Sequence, residues 1–464
     1  MLYLPPAPPL LTPDEMRAAE AEAIAAGTPA LLLMARAAAA ATAAILAFSP
    51  SRRALVLAGP GNNGGDGYGV ALGLAAAGVE VEVAALAPVR GQPAAAMAAR
   101  WPGEVLTLEA ARPAPLLVDA LFGTGLDRAM PEAATAALAR LAPGATVAAL
   151  DIVSNVHAGT GAALGPVQPA AMTVCFGAAK PGHVLGAGAQ VTGRLVTADI
   201  GIALRQATLC RVPRPERWAL PYDVHKYTRG HVLIISGDAG RGGATRLSAM
   251  AAMRAGAGLV TLIGPESRVP ADAIMHRTDD EGAALMADPR SRVWLMGPGL
   301  GDTARARAWM DKLLAGETPL VLDAGALALV TPAQLKASRA ALVLTPHEGE
   351  FQALFGAIGA DRVAAVRAAA ARAGAVVLLK GPQTLIASPE GLVMVNDHAS
   401  PALATAGSGD VLAGVIASLI GQGQPVFEAA ATAAWLHGEA GLGAGAGLIA
   451  DDLPALVAAA VDRL

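Results

Sequence analysis

The sequence predicts an α/β protein of two domains, each a three-layer sandwich of helices around a sheet. Three observations lead there. Short β-branched or Leu-rich runs end at glycine-rich turns and feed Ala/Arg/Glu stretches of helical spacing, which is how repeated βαβ units read. The pattern lapses once, in Arg/Pro-rich text between Leu204 and Val224, and then restarts. The length, 464 residues, exceeds what one hydrophobic core usually organises.

In the first half, strands are expected at 54–58, 79–86, 116–119, 146–151, 172–176 and 194–198. Parallel strands of this kind need crossover helices between them. Prolines 213, 215 and 221 fit neither a central strand nor a helix interior, so a linker is placed at 208–222, between domains at 1–207 and 223–464. The second half offers strands at 231–236, 258–263, 293–296, 320–323, 341–344 and 376–380, and then closes with helices. No short-period repeat runs through the chain.

Apolar residues make up 54 % and charged residues 16 %, ample for buried cores and unlike a disordered chain. Ala-rich stretches such as 37–44 are expected to break before reaching membrane-spanning length. The proline-rich start has no basic cluster ahead of an apolar run, so neither a signal nor a transit peptide is expected and the default location is cytoplasmic. Cys175 and Cys210 are too few for a disulfide framework or a zinc site. A net charge of −4 without a basic stripe argues against nucleic acid and anionic membranes as partners and favours small molecules.

Two constellations carry chemistry. In the first, a strand at 54–58 runs into Gly59-Pro60-Gly61-Asn62-Asn63-Gly64-Gly65-Asp66-Gly67, with a helix expected from Tyr68 to Ala77. Five glycines in nine residues allow close approach of a ligand, and amides at a helix start attract anions. A plain tight turn is the competing reading of glycine alone. Two further strands end in carboxylate loops, Asp119-Ala120-Leu121-Phe122-Gly123-Thr124-Gly125-Leu126-Asp127 and Asp151-Ile152-Val153-Ser154. Ligands collect at the carboxyl ends of parallel strands, so the three loops should converge. Asn63, Asp119 and Ser154 offer hard oxygen ligands suited to an alkali or alkaline-earth ion, although each alone would pass for a helix cap.

Over nearly its whole length this half resembles the N-terminal domain of the NAD(P)H-hydrate epimerases. The resemblance implies a Rossmann-like sandwich, with substrate bound by Asn62, Asn63, Gly64, Gly65 and Asp66, by Gly123, Thr124, Gly125, Leu126, Asp127, Arg128 and Ala129, and by Asp151. It also implies potassium on Asn63, Asp119 and Ser154, and Asp151 as the acid/base group that inverts the hydroxyl-bearing ring carbon. Where that family usually reads Asp-Ile-Pro-Ser-Gly, this chain reads Asp151-Ile152-Val153-Ser154-Asn155.

In the second constellation, Lys380-Gly381-Pro382-Gln383-Thr384 follows a strand and Thr405-Ala406-Gly407-Ser408-Gly409-Asp410 opens a helix. Consecutive amides there would face a phosphate, reinforced by the helix dipole, with Asp410 placed to accept a proton from an attacking hydroxyl. A capped helix with a glycine-rich entry is the structural alternative. Three more glycine-bearing loops, 237–244, 297–301 and 345–350, follow strands and should line the same pocket. His347 alone would read as a satisfied loop histidine and takes its weight from that company, and Glu348 and Glu350 would ordinarily be solvated but near phosphate could hold magnesium through water.

From Asp223 to Leu464 the set is similar to the ADP- or ATP-dependent NAD(P)H-hydrate dehydratase branch of the ribokinase-like superfamily. The resemblance implies a ribokinase-like sandwich, hydrate contacts at Ala244, Gly299, His347 and Asp410, and nucleotide contacts at Lys380, Gly381, Pro382, Gln383, Thr384 and Gly409. Asp410 and Asp151 are the expected catalytic residues. Magnesium with ADP or ATP, potassium, hydrated NADH or NADPH, and assembly as a homo-oligomer complete the expectations. The rival reading is a ribokinase-like kinase for a hydroxymethylpyrimidine, thiazole or sugar with an N-terminal nucleotide-binding module. A non-catalytic scaffold role for the first half is the alternative of a different class.

Overall fold

In the computed structural model, which describes residues 2–217, 222–265 and 268–464, the chain divides into two units. One is Pro9–Ala207; the other joins Met1–Pro8 to Thr208–Leu464.

In Pro9–Ala207 seven strands form an all-parallel sheet in the order Val105–Thr107, Glu80–Ala85, Arg53–Ala58, Leu116–Ala120, Thr146–Leu150, Met172–Phe176, Arg194–Ala198. Leu116–Ala120 and Met172–Phe176 are buried at every position, because both faces of a parallel sheet are covered. Helices Ala30–Phe48 and Asn62–Ala76 pack on one face with Val56, Val118 and Val174, while Glu132–Leu141 closes the other over Leu55, Leu57 and Leu117. Strand addition reverses between Arg53–Ala58 and Leu116–Ala120, which opens a crevice at their carboxyl ends.

Two expectations shift here. The glycine string was read as a loop before a helix from Tyr68, yet the helix begins at Asn62. Helical backbone is tolerated there because tertiary packing fills the space beside the glycines. The alanine-rich region also goes further than expected: Ala30–Phe48 is 19 residues with a mean hydropathy of 2.0 in its most apolar window, long and apolar enough by composition to cross a membrane. One of its faces, Leu33, Met34, Ala37, Ala38, Ala41, Thr42 and Ile45, is buried in this unit.

The other unit carries a ten-stranded sheet. Ile274–Arg277, Leu259–Ile263, His231–Ile235, Val293–Met296, Leu320–Leu322, Leu342–Leu344 and Val376–Leu379 run parallel. An antiparallel hairpin, Thr384–Ala387 and Val393–Asn396, extends it, and Leu209–Arg211 pairs parallel at the edge. The reversal falls between His231–Ile235 and Val293–Met296. The sequence reading passed directly from 376–380 to helices and omitted that hairpin, whose strands are four residues each. The stretch 208–222 is likewise not plain linker: besides Leu209–Arg211 it holds Glu216–Arg217, paired antiparallel with Leu2–Tyr3, while Pro213 and Pro215 fall between the two strands. Residues 218–221 of that stretch lie outside the described residues.

Helices Gly242–Arg254 and Ser408–Gly421 pack closely, since a side chain at Gly414 would collide with the Ser248 carbonyl. That approach lets the Ser248 hydroxyl donate to the Asp410 carbonyl at 2.8 Å.

Two candidate active sites

The three expected loops of the first unit meet at the strand ends. Gly59 N–H donates to Ala120 O at 3.0 Å, and Phe122 N–H to Ser154 Oγ at 3.1 Å. Gly123 lies where a Cβ would stand 3.1 Å from Asp151 Oδ2 and 3.4 Å from Asn63. Gly64 and Gly65 are fixed by packing, the first against the Gly59 carbonyl and the second against Ala94. Gly61 supplies no capping side chain, so amides of the first helical turn stay open to a ligand. Asn62 is exposed, whereas Asn63 and Asp66 are buried. Thr124 N–H reaches Asp151 Oδ2 at 3.4 Å; beyond it Gly125, Asp127, Arg128 and Ala129 are exposed and Leu126 is half-buried.

Asp151 adopts φ 62°, a strained conformation for a residue with a side chain. Its surroundings hold it there. His183 bonds the Asp151 carbonyl through Nε2 at 2.7 Å, and Lys180 Nζ donates to Asp151 Oδ1 at 2.6 Å and to Phe176 O at 3.0 Å. The Lys180 amide donates to His183 Nδ1 at 2.9 Å, which makes Nε2 the protonated nitrogen. Burial, with the Lys180 ammonium next, pushes His183 down to about 4, so its ring is neutral. Burial acts to raise Asp151, but the charge and hydrogen bond of Lys180, with smaller help from His183 and the Thr124 amide, hold its carboxyl below the usual range. Lys180 is pushed down by burial and more than restored by Asp151, so its ammonium is stabilised. Asp66 goes the other way: burial, then Asp151 and Glu20, raise it well above an ordinary carboxyl. Glu20, on helix Pro13–Ala25, is also raised, by burial and then by Asp151. One ionised carboxylate thus stands among carboxyls biased toward neutrality.

The sequence reading missed Lys180 and His183. The signal was a single Lys-Pro-Gly-His after an apolar strand, which spells no motif. The departure at Asn155 resolves structurally. Asn155 has φ 72°, where asparagine is among the least disfavoured substitutes for glycine. Its side chain accepts from Met130 N–H and donates to Pro166 O, both at 2.9 Å.

The residues present fit an oxygen-liganded cation. Ser154 Oγ donates to Asp119 Oδ1 at 2.8 Å and Ser154 N–H to Asp119 Oδ2 at 3.1 Å, both residues being buried. Among the described residues Asn63 Oδ1 and Nδ2 are buried without a protein partner, and a cation would satisfy the oxygen.

In the second unit Gly407, at φ 89°, caps Ser408–Gly421 without a side chain; the Ser408 amide donates to Thr405 O at 3.3 Å, and the next amides, of Gly409 and Asp410, stay open. Lys380 Nζ stands 3.2 Å from where a Gly409 side chain would begin, which joins the nucleotide-binding candidates Lys380 and Gly409. Gly381, Pro382 and Gln383 make the turn into Thr384–Ala387, and Thr384 Oγ1 donates to Gly381 O at 3.4 Å. Ala244 and Gly299 adjoin, since a Cβ on Gly299 would stand 3.6 Å from that of Ala244. The Ser248 bond brings Asp410 to the same helix that carries Ala244.

His347 caps helix Glu348–Phe355, its Nδ1 accepting from Gly349 and Glu350 N–H at 3.0 and 3.2 Å; among the described residues its bonds stay within that turn. Glu348 pairs with Arg362, and Glu350 closes the capping box 3.9 Å from Lys380. Burial first, then the negative charges of Asp323 and Glu350 against the opposing Lys380, pushes Asp410 up to about 6. His437, unread in the sequence, bonds Ser408 Oγ at 3.1 Å and is held neutral by burial, down to about 4. A cleft of about 730 Å³ opens at the opposite, amino-terminal edge of the strands, past Arg292, Pro319 and Ala341, and holds none of these residues.

Comparison with known proteins agrees in both units. Residues 30–182 match the family model of the YjeF-related protein N-terminus, and residues 232–459 match that of NAD(P)H-hydrate dehydratase. The bifunctional NAD(P)H-hydrate repair enzyme of Moorella thermoacetica is 40 % identical over 368 residues, covering 71 % of this chain and 68 % of that protein. The corresponding enzyme of Gloeobacter violaceus is 38 % identical and covers 70 % of each. A solved structure, the ADP/ATP-dependent NAD(P)H-hydrate dehydratase of Bacillus subtilis co-crystallized with ATP/Mg2+, is 30 % identical with a TM-score of 0.47, covering 53 % of this chain and 93 % of that one. With two thirds of a 40 % identical relative spanned and both family models matched in order, the chain belongs to the bifunctional NAD(P)H-hydrate repair enzymes.

Proposed function

We propose that Pro9–Ala207 interconverts the R and S hydrates of NADH and NADPH, and that the second unit dehydrates the S hydrate at the expense of ADP or ATP. One observation supports the reading above the others: each unit sets a carboxylate beside a lysine at the carboxyl ends of its parallel strands, Asp151 with Lys180 and Asp410 near Lys380.

In the first unit Asp151 takes the proton of the ring hydroxyl. The carbon–nitrogen bond of that hemiaminal opens, the carbon becomes a carbonyl, and the electron pair passes to the ring nitrogen. Reclosure on the other face returns the proton and inverts the centre. Lys180 keeps Asp151 ionised for this task. Potassium held by Asn63, Asp119 and Ser154 would supply positive charge among the loops that carry the site.

In the second unit the ring hydroxyl attacks the terminal phosphorus of the nucleotide. Its proton passes to Asp410, the new O–P bond forms, and the bond to AMP or ADP breaks. The ring nitrogen then expels phosphate, and loss of a proton from the adjacent carbon restores the double bond. The open amides of Gly409 and Asp410 face the migrating charge, with Lys380 above them. Magnesium would enter with the nucleotide phosphates and share their charge. Cytoplasmic location and assembly as a homo-oligomer belong to the same reading.

The test is direct. The purified chain, given S hydrate, nucleotide, magnesium and potassium, regains dihydronicotinamide absorbance and releases one phosphate per turnover. R hydrate is consumed only while the first unit is active. Accumulation of a stable phosphorylated product would instead favour the kinase reading.

A further inference from the structure

We propose that Asp323, at the carboxyl end of Leu320–Leu322, is the positioning residue that fixes the Lys380 ammonium over the phosphate cradle, so that the pair meets the charge of the migrating phosphoryl group. The inference rests on the dehydratase reading given above.

Asp323 appears in none of the glycine-bearing motifs, yet it touches most of them. Its side chain is 1 % exposed, and Oδ1 accepts from Lys380 Nζ and from Thr345 Oγ1, both at 2.8 Å. Thr345 opens the loop that holds His347, and Lys380 opens the loop before Thr384. The Asp323 backbone carbonyl presses on Gly297, where a side chain would collide with it, so the 297–301 loop is seated on the same residue. Ala324, next in the chain, has φ 45°, a conformation that a non-glycine residue keeps only where its surroundings impose it.

A buried carboxylate is tolerated when its charge and lone pairs are matched, and here the matching groups are a lysine and a threonine from two site loops. Lysine is a flexible point charge on four carbons, and an unpaired one would spread over many rotamers. Pairing with Asp323 confines Nζ to the mouth of the Gly407–Asp410 turn, 3.2 Å from the side-chain position of Gly409. A donor fixed where charge develops lowers the barrier without reorganising during the reaction. Glu350, 3.9 Å from the same Nζ, belongs to its own capping box and is the weaker anchor.

A double-mutant cycle in the full chain tests this. Asp323→Asn is expected to lower kcat for S-hydrate dehydration by about 100-fold while nucleotide KM moves by less than about threefold. In the Lys380→Met background the same substitution should cost less than about twofold, because its target is gone. Thr345→Val, a milder change to the same anchor, should lower kcat by roughly fivefold and lose that effect in the same background. An unmoved urea midpoint for the second unit, together with the near-constant nucleotide KM, reports that this unit stays folded, and unchanged epimerisation reports the same of the first. Equal losses for Asp323→Asn in both backgrounds, or wild-type kcat in Asp323→Asn, overturn the proposal. A wild-type chain that does not dehydrate the S hydrate refutes the function itself, a result separable from either.

Discussion

Lys180 is almost wholly buried, and its ammonium lies 2.6 Å from Asp151. Remove that charge and burial acts on Asp151 nearly alone, with only the Thr124 amide and the neutral His183 to set against it. Lys180→Met should therefore move the acidic limb of the epimerisation profile to higher pH, because the base is active only when ionised, and should lower the rate at pH 7 by roughly 10²-fold or more. Lys180→Arg should restore part of it; a pH–rate series on all three proteins decides, and an unmoved limb rejects the role. Asn155 offers a backbone test. Asn155→Gly keeps the left-handed conformation and loses two hydrogen bonds, whereas Asn155→Val loses both and adds strain of about 1–3 kcal/mol, so the valine variant should unfold at clearly lower urea. At this scale the sequence exposed Asp119, Asp151, Ser154, Lys380 and Asp410, since each ends an apolar run or sits in a glycine motif. It hid Lys180, His183, Asp323 and His437, whose meaning arises only when distant segments fold against one another.

Helices and strands follow the same division. The central parallel strands were legible to within a residue or two, because burial on both faces makes them continuous apolar runs. Edge strands Val105–Thr107 and Ile274–Arg277 were not, being part-exposed rather than continuous buried runs, and the hairpin Thr384–Ala387 with Val393–Asn396 was omitted as well. The helical start at Asn62 also escaped notice, as glycine-rich text argues for a turn until the packing partners Gly59 and Ala94 are known. Close helix packing yields a prediction at this level. Gly414→Ala places a methyl against the Ser248 carbonyl, forcing Ser408–Gly421 away from Gly242–Arg254. The expected cost is about 1–3 kcal/mol with loss of dehydration, while epimerisation persists; thermal unfolding and paired activity assays check both halves of that statement.

Across the molecule, buried neutral histidines set a common pH response. His183 and His437 are each held down to about 4 by burial, against about 6.5 in an unfolded chain. Between those values the unfolded state binds more protons, so stability is full above pH 6.5 and falls as pH drops toward 4, by up to about 3 kcal/mol per histidine. Urea midpoints at pH 7 and pH 5 should differ in that direction. Dehydration should fade through about pH 6 as Asp410 takes up a proton, which a pH–rate profile at saturating nucleotide reads independently. The chain's first residues have a separate consequence. Leu2–Tyr3 pairs with Glu216–Arg217, and Arg211 N–H donates to Pro8 O at 2.8 Å, so both ends of the excursion from Pro8 to Thr208 return to one spot on the second unit. Topologically, Pro9–Ala207 is a guest inserted between two segments of its host. Replacing it with a bridge of about four glycines should leave a folded dehydratase, whereas a fragment started at Thr208 would keep the ten-stranded sheet but leave Glu216–Arg217 without its two-stranded partner.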